Sequence, residues 1–395
     1  MRYASRIEAL SDKSLLNAFE VIETPDMISF SAGFPSPETY PLEAIRESFD
    51  HVMEESGKEA LSYGSTSGYI RLREIIGNRL AEKFDLHYNL EEIIITSGSQ
   101  QGLDMCGMMF INKGDVVLFE NPSYLGAVNA LRAHEASLAA VEIDDQGISM
   151  ESLKDAVERY GDRIRMIYVN PDHQNPTGRS WSLERRKEFM TFIRDYDIPV
   201  VEDGAYAELS FGDELETPLA ALDEKGQVLY LGTFSKTFCP GLRVAWVCAP
   251  RAIMEKILIL KNAADLSTSS IAQRQMAYYL DHYSLDDHIR GITAMYRERK
   301  DVMIQMLREH FPDSISYTNP RGGLFIWVSL PEGKDSRELL ARAQKQKVSF
   351  IPGTSFYPAA NRHRELRLNF SNMDPDKIRE GMKILGEITT EYLKE

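Results

Sequence analysis

Seven short runs of apolar and β-branched residues alternate with longer helix-like stretches between about residues 90 and 250. Most of these runs end in small or turn-forming residues. This alternation is typical of an α/β domain with a mostly parallel sheet, in which ligands bind at the carboxyl ends of the strands. The runs cover residues 93–96, 116–119, 139–143, 166–169, 199–202, 228–231 and 244–249.

The segments on either side of this region predict a second, smaller α+β domain. Residues 1–23 carry a helical pattern, and residues 30–41 are interrupted by Gly33 and three prolines. Helical patterns from about residue 270 are followed by two further apolar runs, 324–330 and 366–370. We therefore predict a large domain over residues 50–270 and a small domain over residues 271–395. Residues 1–49 would form an N-terminal arm and part of the small domain.

Charge and cysteine content exclude several classes of protein. The net charge is −15 and no basic cluster is present, so the chain has no electrostatic footprint for nucleic acid or an anionic membrane. No stretch approaches the ~18 apolar residues of a membrane helix, and the N-terminus lacks the apolar core of a signal peptide. Cys106, Cys239 and Cys248 are too scattered for a disulfide scaffold or a C-x-x-C zinc pair. We expect a cytoplasmic protein with reduced thiols and no metal site.

The segment after the sixth run places a lysine among small hydroxyl residues. Lys236 follows Thr233 and Ser235, and Arg243 comes shortly after. A lysine amine forms an imine with an aldehyde, while hydroxyl groups and a guanidinium bind a phosphate dianion through charge-assisted hydrogen bonds. The segment therefore suits an aldehyde cofactor that carries a phosphate. The alternative is that Lys236 is an ordinary surface lysine in a turn.

Asp203 and Tyr206 directly follow the fifth run. An unpaired carboxylate at the end of an apolar strand is costly, so Asp203 suits a cationic partner such as a pyridinium N–H. That contact would keep a cofactor ring protonated and electron-accepting, and Tyr206 would reach the phenolic oxygen of the same ring. The alternative role for Asp203 is to cap the N-terminus of a helix.

Three further strand ends carry residues that suit a flat ligand with one phosphate. Asn175 lies in a loop stiffened by two Asn-Pro pairs, which can hold its amide against a ligand oxygen. Ser99 and Gln100 follow Gly98 at the start of a helical run, where backbone N–H groups bind an anion. The pattern there is neither a P-loop nor G-x-G-x-x-G, so no nucleotide is predicted. Tyr124 can stack on a flat cofactor. In each case the alternative is a turn or packing residue without chemistry.

In this order, these residues resemble the class I/II aminotransferases of fold type I, which use pyridoxal 5′-phosphate (PLP). The resemblance extends over nearly the whole chain. The sequence His-Gln-Asn-Pro-Thr-Gly at residues 173–178 is most similar to the 2-aminoadipate, kynurenine and aromatic branch and to the related domain of MocR-type regulators. The resemblance implies an α/β fold of PLP fold type I, with a large domain on a mostly parallel seven-stranded sheet and a smaller α+β domain.

The resemblance also implies a role for each matching residue. Lys236 would hold PLP as a Schiff base and move the substrate proton, and Asp203 would bind the pyridine nitrogen. Arg367 would clamp the substrate α-carboxylate, with help from Asn175 and the backbone near Gly33. The other implied PLP contacts are Asn175 and Tyr206 on the ring hydroxyl, Tyr124 stacked on the ring, and Ser99, Gln100, Thr233, Ser235 and Arg243 around the phosphate.

Tyr63 is the residue from which the resemblance implies a quaternary structure. In the family, the matching residue reaches a phosphate in the neighbouring subunit, so the resemblance implies a homodimer with shared active sites. The alternative is that Tyr63 packs within its own subunit.

The implied function is PLP-dependent transamination between an amino acid and a 2-oxoacid, working by a ping-pong cycle. The donor would be an aromatic, large apolar or 2-aminoadipate-like amino acid, and the acceptor 2-oxoglutarate. Relatives that take acidic side chains often carry an arginine early in the N-terminal helix. The matching position here falls at or next to Leu16, with Lys13 nearby as a substitute cation. A side-chain carboxylate without a counter-charge is poorly paired, which favours aromatic or large apolar donors.

Two alternatives use the same residues. One is another PLP reaction on this scaffold, such as that of a β-lyase or a decarboxylase. The other is the ligand-binding domain of a transcriptional regulator. We expect a regulator to carry a winged-helix domain ahead of the Ser-Gly-Ser region and to be less acidic than this chain.

Overall fold

The computed structural model of the chain describes residues 3–4, 6–7, 26–212, 214–358 and 362–395. In chain order the strands are β1 (Ile28–Ser29), β2 (Ile93–Ser97), β3 (Val116–Asn121), β4 (Ser137–Asp144), β5 (Gly147–Ile148), β6 (Ile164–Val169), β7 (Val200–Asp203), β8 (Val228–Thr233), β9 (Val244–Cys248), β10 (Ser316–Tyr317), β11 (Phe325–Ser329), β12 (Val348–Ser349), β13 (Ile351–Pro352) and β14 (Glu365–Asn369). The α-helices are α1 (Leu42–Ala60), α2 (Ile70–Phe84), α3 (Ser99–Phe110), α4 (Leu125–Arg132), α5 (Met150–Tyr160), α6 (Leu183–Ile193), α7 (Arg251–Ala264), α8 (Ser270–His282), α9 (Leu285–His310), α10 (Ser336–Lys345) and α11 (Pro375–Lys394).

The large lobe is built on one eight-stranded sheet with the strand order β2-β9-β8-β7-β6-β3-β4-β5. Strands β4, β3, β6, β7 and β8 pair in parallel, while β9 is antiparallel to both of its neighbours. All seven predicted runs fall on strands of this sheet, so the predicted α/β fold is confirmed. The eighth strand, β5, is a two-residue antiparallel partner of β4, and it is too short to show a periodic pattern.

The central strands are buried on both faces, which explains their continuous apolar character. Side chains alternate between the faces with a period of two. In β6, Ile167 and Val169 join one apolar cluster, while Met166 and Tyr168 join the cluster on the opposite face. In β7, Val201 belongs to the same cluster as Tyr168.

The small lobe combines a four-stranded antiparallel sheet, in the order β10-β11-β14-β13, with α9 and α11. The segment that contains β1 joins this lobe, because β1 pairs in parallel with β12 and Phe30 is fully buried in the lobe's core. Helix α8 packs against α1 and α2 in the large lobe, and α9 carries the chain across to the small one. The domain boundaries at 49/50 and 270/271 stay a prediction.

Capping side chains set the start of many helices. Six helices begin after a Ser or Asp whose side chain accepts a backbone N–H of the first turn, which replaces a missing helical hydrogen bond. The capping residues are Ser149, Ser182, Ser269, Ser284, Asp335 and Asp374. Within the described part of the chain, none of the helices has the length and apolarity needed to cross a membrane.

Candidate active site

A cleft of about 380 Å³ lies where the carboxyl ends of the parallel strands meet the small lobe. Twelve of the thirteen residues predicted for the site line it together: Gly33, Ser99, Gln100, Tyr124, Asn175, Asp203, Tyr206, Thr233, Ser235, Lys236, Arg243 and Arg367. Tyr63 does not line this cleft. It is 89% exposed and borders a separate surface groove beside Ile70 and Arg274.

Lys236 follows β8 and lines the cleft. Its Nζ donates a hydrogen bond to the Gly33 carbonyl at 3.0 Å and lies 5.9 Å from the centroid of the Tyr206 ring. Burial lowers the pKa of Lys236 to about 8, and the positive charge of Arg367 acts in the same direction. The neutral amine is therefore far more populated near neutral pH than it is in a solvated lysine. This excludes the alternative of an ordinary surface lysine.

Asp203 ends β7 and is almost completely buried. Tyr168 Oη donates to Asp203 Oδ2 at 2.7 Å, and the Ala205 N–H donates to Oδ1 at 3.2 Å. Burial raises the pKa of this carboxyl, while the two hydrogen bonds and the nearby Lys236 act against that rise. Residues 205–208 form turns rather than a helix, so Asp203 is not a helix cap.

Arg367, on β14, is a buried cation that faces the cleft. Its Nη1 donates to Asn175 Oδ1 at 2.8 Å and its Nη2 to the Ser31 carbonyl at 2.5 Å. The guanidinium carbon lies 4.2 Å from the ring centroid of Phe325 and 4.9 Å from that of Phe356. Burial lowers the pKa of Arg367 to about 10, and its Nε has no hydrogen-bond partner.

Arg367 also has no carboxylate partner in the part of the chain that the structure describes. A buried cation without a counter-ion is costly, so this arrangement is built for an anionic ligand.

Asn175 contacts Arg367, and Tyr206 lies near Lys236. Asn175 Nδ2 lies 3.4 Å from Tyr206 Oη. Asn170, which was not predicted from the sequence, holds Asn175 in place. Its side chain accepts the Asn175 N–H at 2.9 Å and donates to the Asp203 carbonyl at 2.6 Å. One amide therefore ties the Asn-Pro loop to the end of β7.

The other end of the cleft is lined by hydrogen-bond donors. Thr233 Oγ1 donates to Ser235 Oγ at 2.9 Å, and Arg243 Nη2 donates to the Ser97 carbonyl at 3.3 Å. Gly98 has a φ of 86°, and a Cβ added there would lie 2.0 Å from Arg243 Nη2. Only glycine therefore allows the turn before α3 and the guanidinium to share this space.

Tyr124 and Gln100 complete the cleft at this end. Tyr124 precedes α4 and leans over Gly126, where an added Cβ would lie 2.4 Å from its hydroxyl. Burial raises the pKa of Tyr124 to about 12, and Asp203 adds to the effect. Its phenol therefore stays protonated near neutral pH. Gln100 Nε2 donates to the Gly126 carbonyl at 2.9 Å. Gln100 and Arg243 are both exposed, so this end of the cleft is open in the single chain.

The arrangement fits PLP. The hydroxyls, the N-terminus of α3 and Arg243, which has no carboxylate partner among the described residues, suit its phosphate. A buried carboxylate suits its ring nitrogen, and an amine with a lowered pKa suits its aldehyde.

A family profile described as "Aminotransferase class I and II" matches residues 25–385. The chain belongs to the class I and II aminotransferases. These enzymes use PLP, so this aminotransferase is a PLP-dependent enzyme, as the resemblance implied.

Individual relatives cover almost all of this aminotransferase. Aromatic-amino-acid aminotransferase 1 of Thermococcus litoralis is 36% identical, over 99% of this chain and 95% of that protein. Kynurenine aminotransferase from Pyrococcus horikoshii, solved in complex with PMP, is 37% identical with a TM-score of 0.95, over 100% of this chain and 98% of that one. An alpha-aminoadipate aminotransferase from Thermus thermophilus, complexed with N-(5′-phosphopyridoxyl)-L-leucine, is 32% identical with a TM-score of 0.93, over 99% and 98%.

Proposed function

We propose that this aminotransferase takes aromatic or large apolar amino acids as its preferred donors and 2-oxoglutarate as its acceptor, with 2-aminoadipate-like donors accepted less well. The observation that carries the proposal is the small number of cationic side chains among the described residues of the cleft lining. Where the structure describes the lining, its cationic side chains are Lys236, Arg243 and Arg367. A chemical role is available for each of them, so no described lining residue is left as a counter-charge for a carboxylate on the donor side chain. The choice of 2-oxoglutarate as acceptor rests on the resemblance to the family and not on this lining.

The remaining lining supports the same donors. Ala32, Phe34, Ala205 and Ile351 contribute apolar surface to the cleft. Ile351 belongs to an apolar cluster with Trp327 and Phe356, packed beside Arg367. Leu16 and Lys13, the positions considered for an acidic donor, lie outside the described residues. The relatives named for aromatic amino acids and kynurenine agree with this choice. The relative with a bound leucine adduct is named for alpha-aminoadipate, so it supports an apolar donor and an acidic one alike.

Different residues of the cleft would bind different parts of PLP. Arg243, Thr233, Ser235, Ser99 and Gln100 would hold the phosphate of PLP, Asp203 its ring nitrogen, Asn175 and Tyr206 its ring hydroxyl, and Tyr124 would stack on the ring. When bound, PLP supplies an electron sink for the electron pair released when the substrate Cα–H bond breaks.

Two side chains act on the substrate. Arg367, which has no carboxylate partner among the described residues, would bind the α-carboxylate, and because the site is buried this ion pair would be strong and directional. That contact would orient the Cα–H bond towards Lys236. The neutral amine of Lys236 would take the proton from the substrate Cα on its Nζ and would then deliver it to the C4′ atom of the cofactor. The lowered pKa of Lys236 keeps this base available near neutral pH.

A donor panel tests the proposal. We expect kcat/KM for phenylalanine, tyrosine or leucine with 2-oxoglutarate to exceed that for 2-aminoadipate by roughly tenfold or more, because burying an unpaired carboxylate costs more than that ratio requires. Each donor should convert bound PLP stoichiometrically to pyridoxamine phosphate, measured by absorbance without acceptor. The best rates with 2-aminoadipate would contradict the donor choice. Release of CO₂, or of ammonia and a 2-oxoacid without pyridoxamine phosphate, would favour a decarboxylase or a β-lyase.

We also propose that the enzyme is a homodimer with shared active sites. Leu42, Phe49 and Met53 form an exposed apolar stripe at helical spacing on α1, and Leu61 and Ile70 are exposed nearby. Exposed apolar surface of this kind marks association sites. The open phosphate end of the cleft would be closed by Tyr63 of a second copy.

A cytoplasmic location also stays a prediction; the three cysteines are all buried and free.

Mixing two inactive variants tests the shared site. We expect Lys236→Ala and Tyr63→Trp each to be inactive as homodimers, the second because the larger ring blocks the phosphate. Subunit exchange should restore up to about one quarter of wild-type activity, since half of the dimers then contain one intact site. Exchange shown by native mass spectrometry without any recovery would place Tyr63 outside the partner's site. So would full activity of Tyr63→Trp alone.

A further inference from the structure

Tyr168 contacts Asp203, the acidic residue among the described lining of the cleft, yet nothing in its local sequence marks it as functional. Strands β6 and β7 are parallel neighbours, with Tyr168 opposite Val201 in register. Because side chains alternate along a strand, Val201 and Asp203 point to the same face of the sheet as Tyr168. The long phenol can therefore reach along β7 to the carboxylate two residues beyond its register partner.

The surroundings hold this phenol in a single position. Tyr168 has no exposed surface, and its ring packs against Phe119 with 5.5 Å between centroids. Its hydroxyl donates a hydrogen bond to Asp203 Oδ2 at 2.7 Å, while the Ala205 N–H donates one to Oδ1. The two donors bind different oxygens, so together they define the plane and direction of the carboxylate.

We propose that Tyr168 is a positioning residue that holds Asp203 ionised and oriented towards the ring nitrogen of PLP. This inference rests on the proposed role of Asp203. A hydroxyl that donates to a carboxylate stabilises the anion and not the neutral acid. Burial acts in the opposite sense on Asp203, so the donated bond offsets the desolvation that would otherwise neutralise it. The other titratable groups that face Asp203 are Lys236, Tyr124 and Tyr206.

The competing explanation is purely structural, in which the hydroxyl only needs a partner because it is buried. The two explanations differ in what they predict for the cofactor. A structural hydroxyl affects folding alone. A positioning hydroxyl also changes the protonation of the ring nitrogen, because a carboxyl that is easier to protonate competes less well as an anion for the pyridinium N–H.

Tyr168→Phe tests the proposal, with Tyr392→Phe as the matched control. Tyr392 is also buried, and its hydroxyl donates to the Glu338 carboxylate at a distance of 2.9 Å. Neither residue lines the cleft. In Tyr168→Phe loaded with ¹⁵N-labelled PLP, we expect the ring-nitrogen resonance to move from the protonated towards the unprotonated position. We expect kcat to fall roughly 10- to 100-fold, the scale of one hydrogen bond to a charged group. KM should stay within about threefold, because Arg367 still binds the substrate. Tyr392→Phe should match the wild type in all three measurements.

Each outcome decides one question. If wild-type enzyme shows an unprotonated ring nitrogen, the proposed role of Asp203 fails. If the wild type is protonated and Tyr168→Phe shows the same resonance and a kcat like that of Tyr392→Phe, only the inference about Tyr168 fails. A Tyr168→Phe protein that does not fold would also contradict it, because the hydroxyl would then be required by the fold itself.

Discussion

Lys236→Ala is expected to abolish transamination while leaving much of the PLP binding intact. The amine at this position is the group that would join the cofactor aldehyde and carry the Cα proton, and a methyl group can do neither. We expect kcat to fall by a factor on the order of 100,000, the scale of removing a central catalytic side chain. The hydrogen-bond donors of Arg243, Thr233 and Ser235 also line the cleft and are not altered by this substitution. Equilibrium dialysis should therefore still detect PLP on the variant.

Lys236→Arg separates the chemistry from the charge. A guanidinium keeps the positive charge but stays protonated and forms no imine, so this variant should be as inactive as Lys236→Ala. In the wild type, borohydride reduction should attach PLP covalently to the peptide that contains Lys236, detected by mass spectrometry. Attachment to another lysine, or a Lys236→Ala variant with activity within about tenfold of wild type, would overturn the assignment.

Asp203→Asn is expected to lower kcat by roughly 100- to 1,000-fold while preserving the fold, the scale of losing one preorganised electrostatic contact in an active site. The amide has the same shape as the carboxylate but no charge. Because the Ala205 N–H requires an acceptor on one side, the amide would turn its NH₂ group away from Ala205. An NH₂ group can donate to an unprotonated pyridine nitrogen but cannot stabilise a protonated one. The ring would therefore lose its strength as an electron sink.

Asp203→Glu is the companion variant. It restores the negative charge at the cost of one extra methylene, so we expect it to retain more activity than Asp203→Asn. Thermal unfolding of both apo-proteins identifies any loss of fold. Near-normal turnover in Asp203→Asn would mean that Asp203 only closes the turn to Ala205.

The chemistry of the cleft was predictable where it depended on short segments of chain. Ser235 and Lys236 directly follow a strand, Asp203 ends another, and Asn175 sits in a loop that its prolines stiffen. Parallel strands bring their carboxyl ends to one edge of a sheet, so segments far apart in sequence could be placed together once the strands were found. Arg367 was different. No local pattern connects it to Asn175 or Lys236, and only its resemblance to the family assigned it to the substrate.

The sequence by itself determined the strand-helix alternation, the strand-end residues and the glycine at position 98, because these depend on neighbours a few positions away and on the conformations that side chains permit. The tertiary structure alone decided which of these residues face one another. The pairing of Tyr168 with Asp203, the bridge that Asn170 makes between loop and strand, and the burial of Arg367 between Phe325 and Phe356 all depend on packing. Such contacts arise from the twist and register of strands and from the approach of the two lobes, to which every part of the chain contributes. Burial then sets the chemistry, since it lowers the pKa of Lys236 to about 8 and leaves Arg367 as a cation in need of an anionic partner.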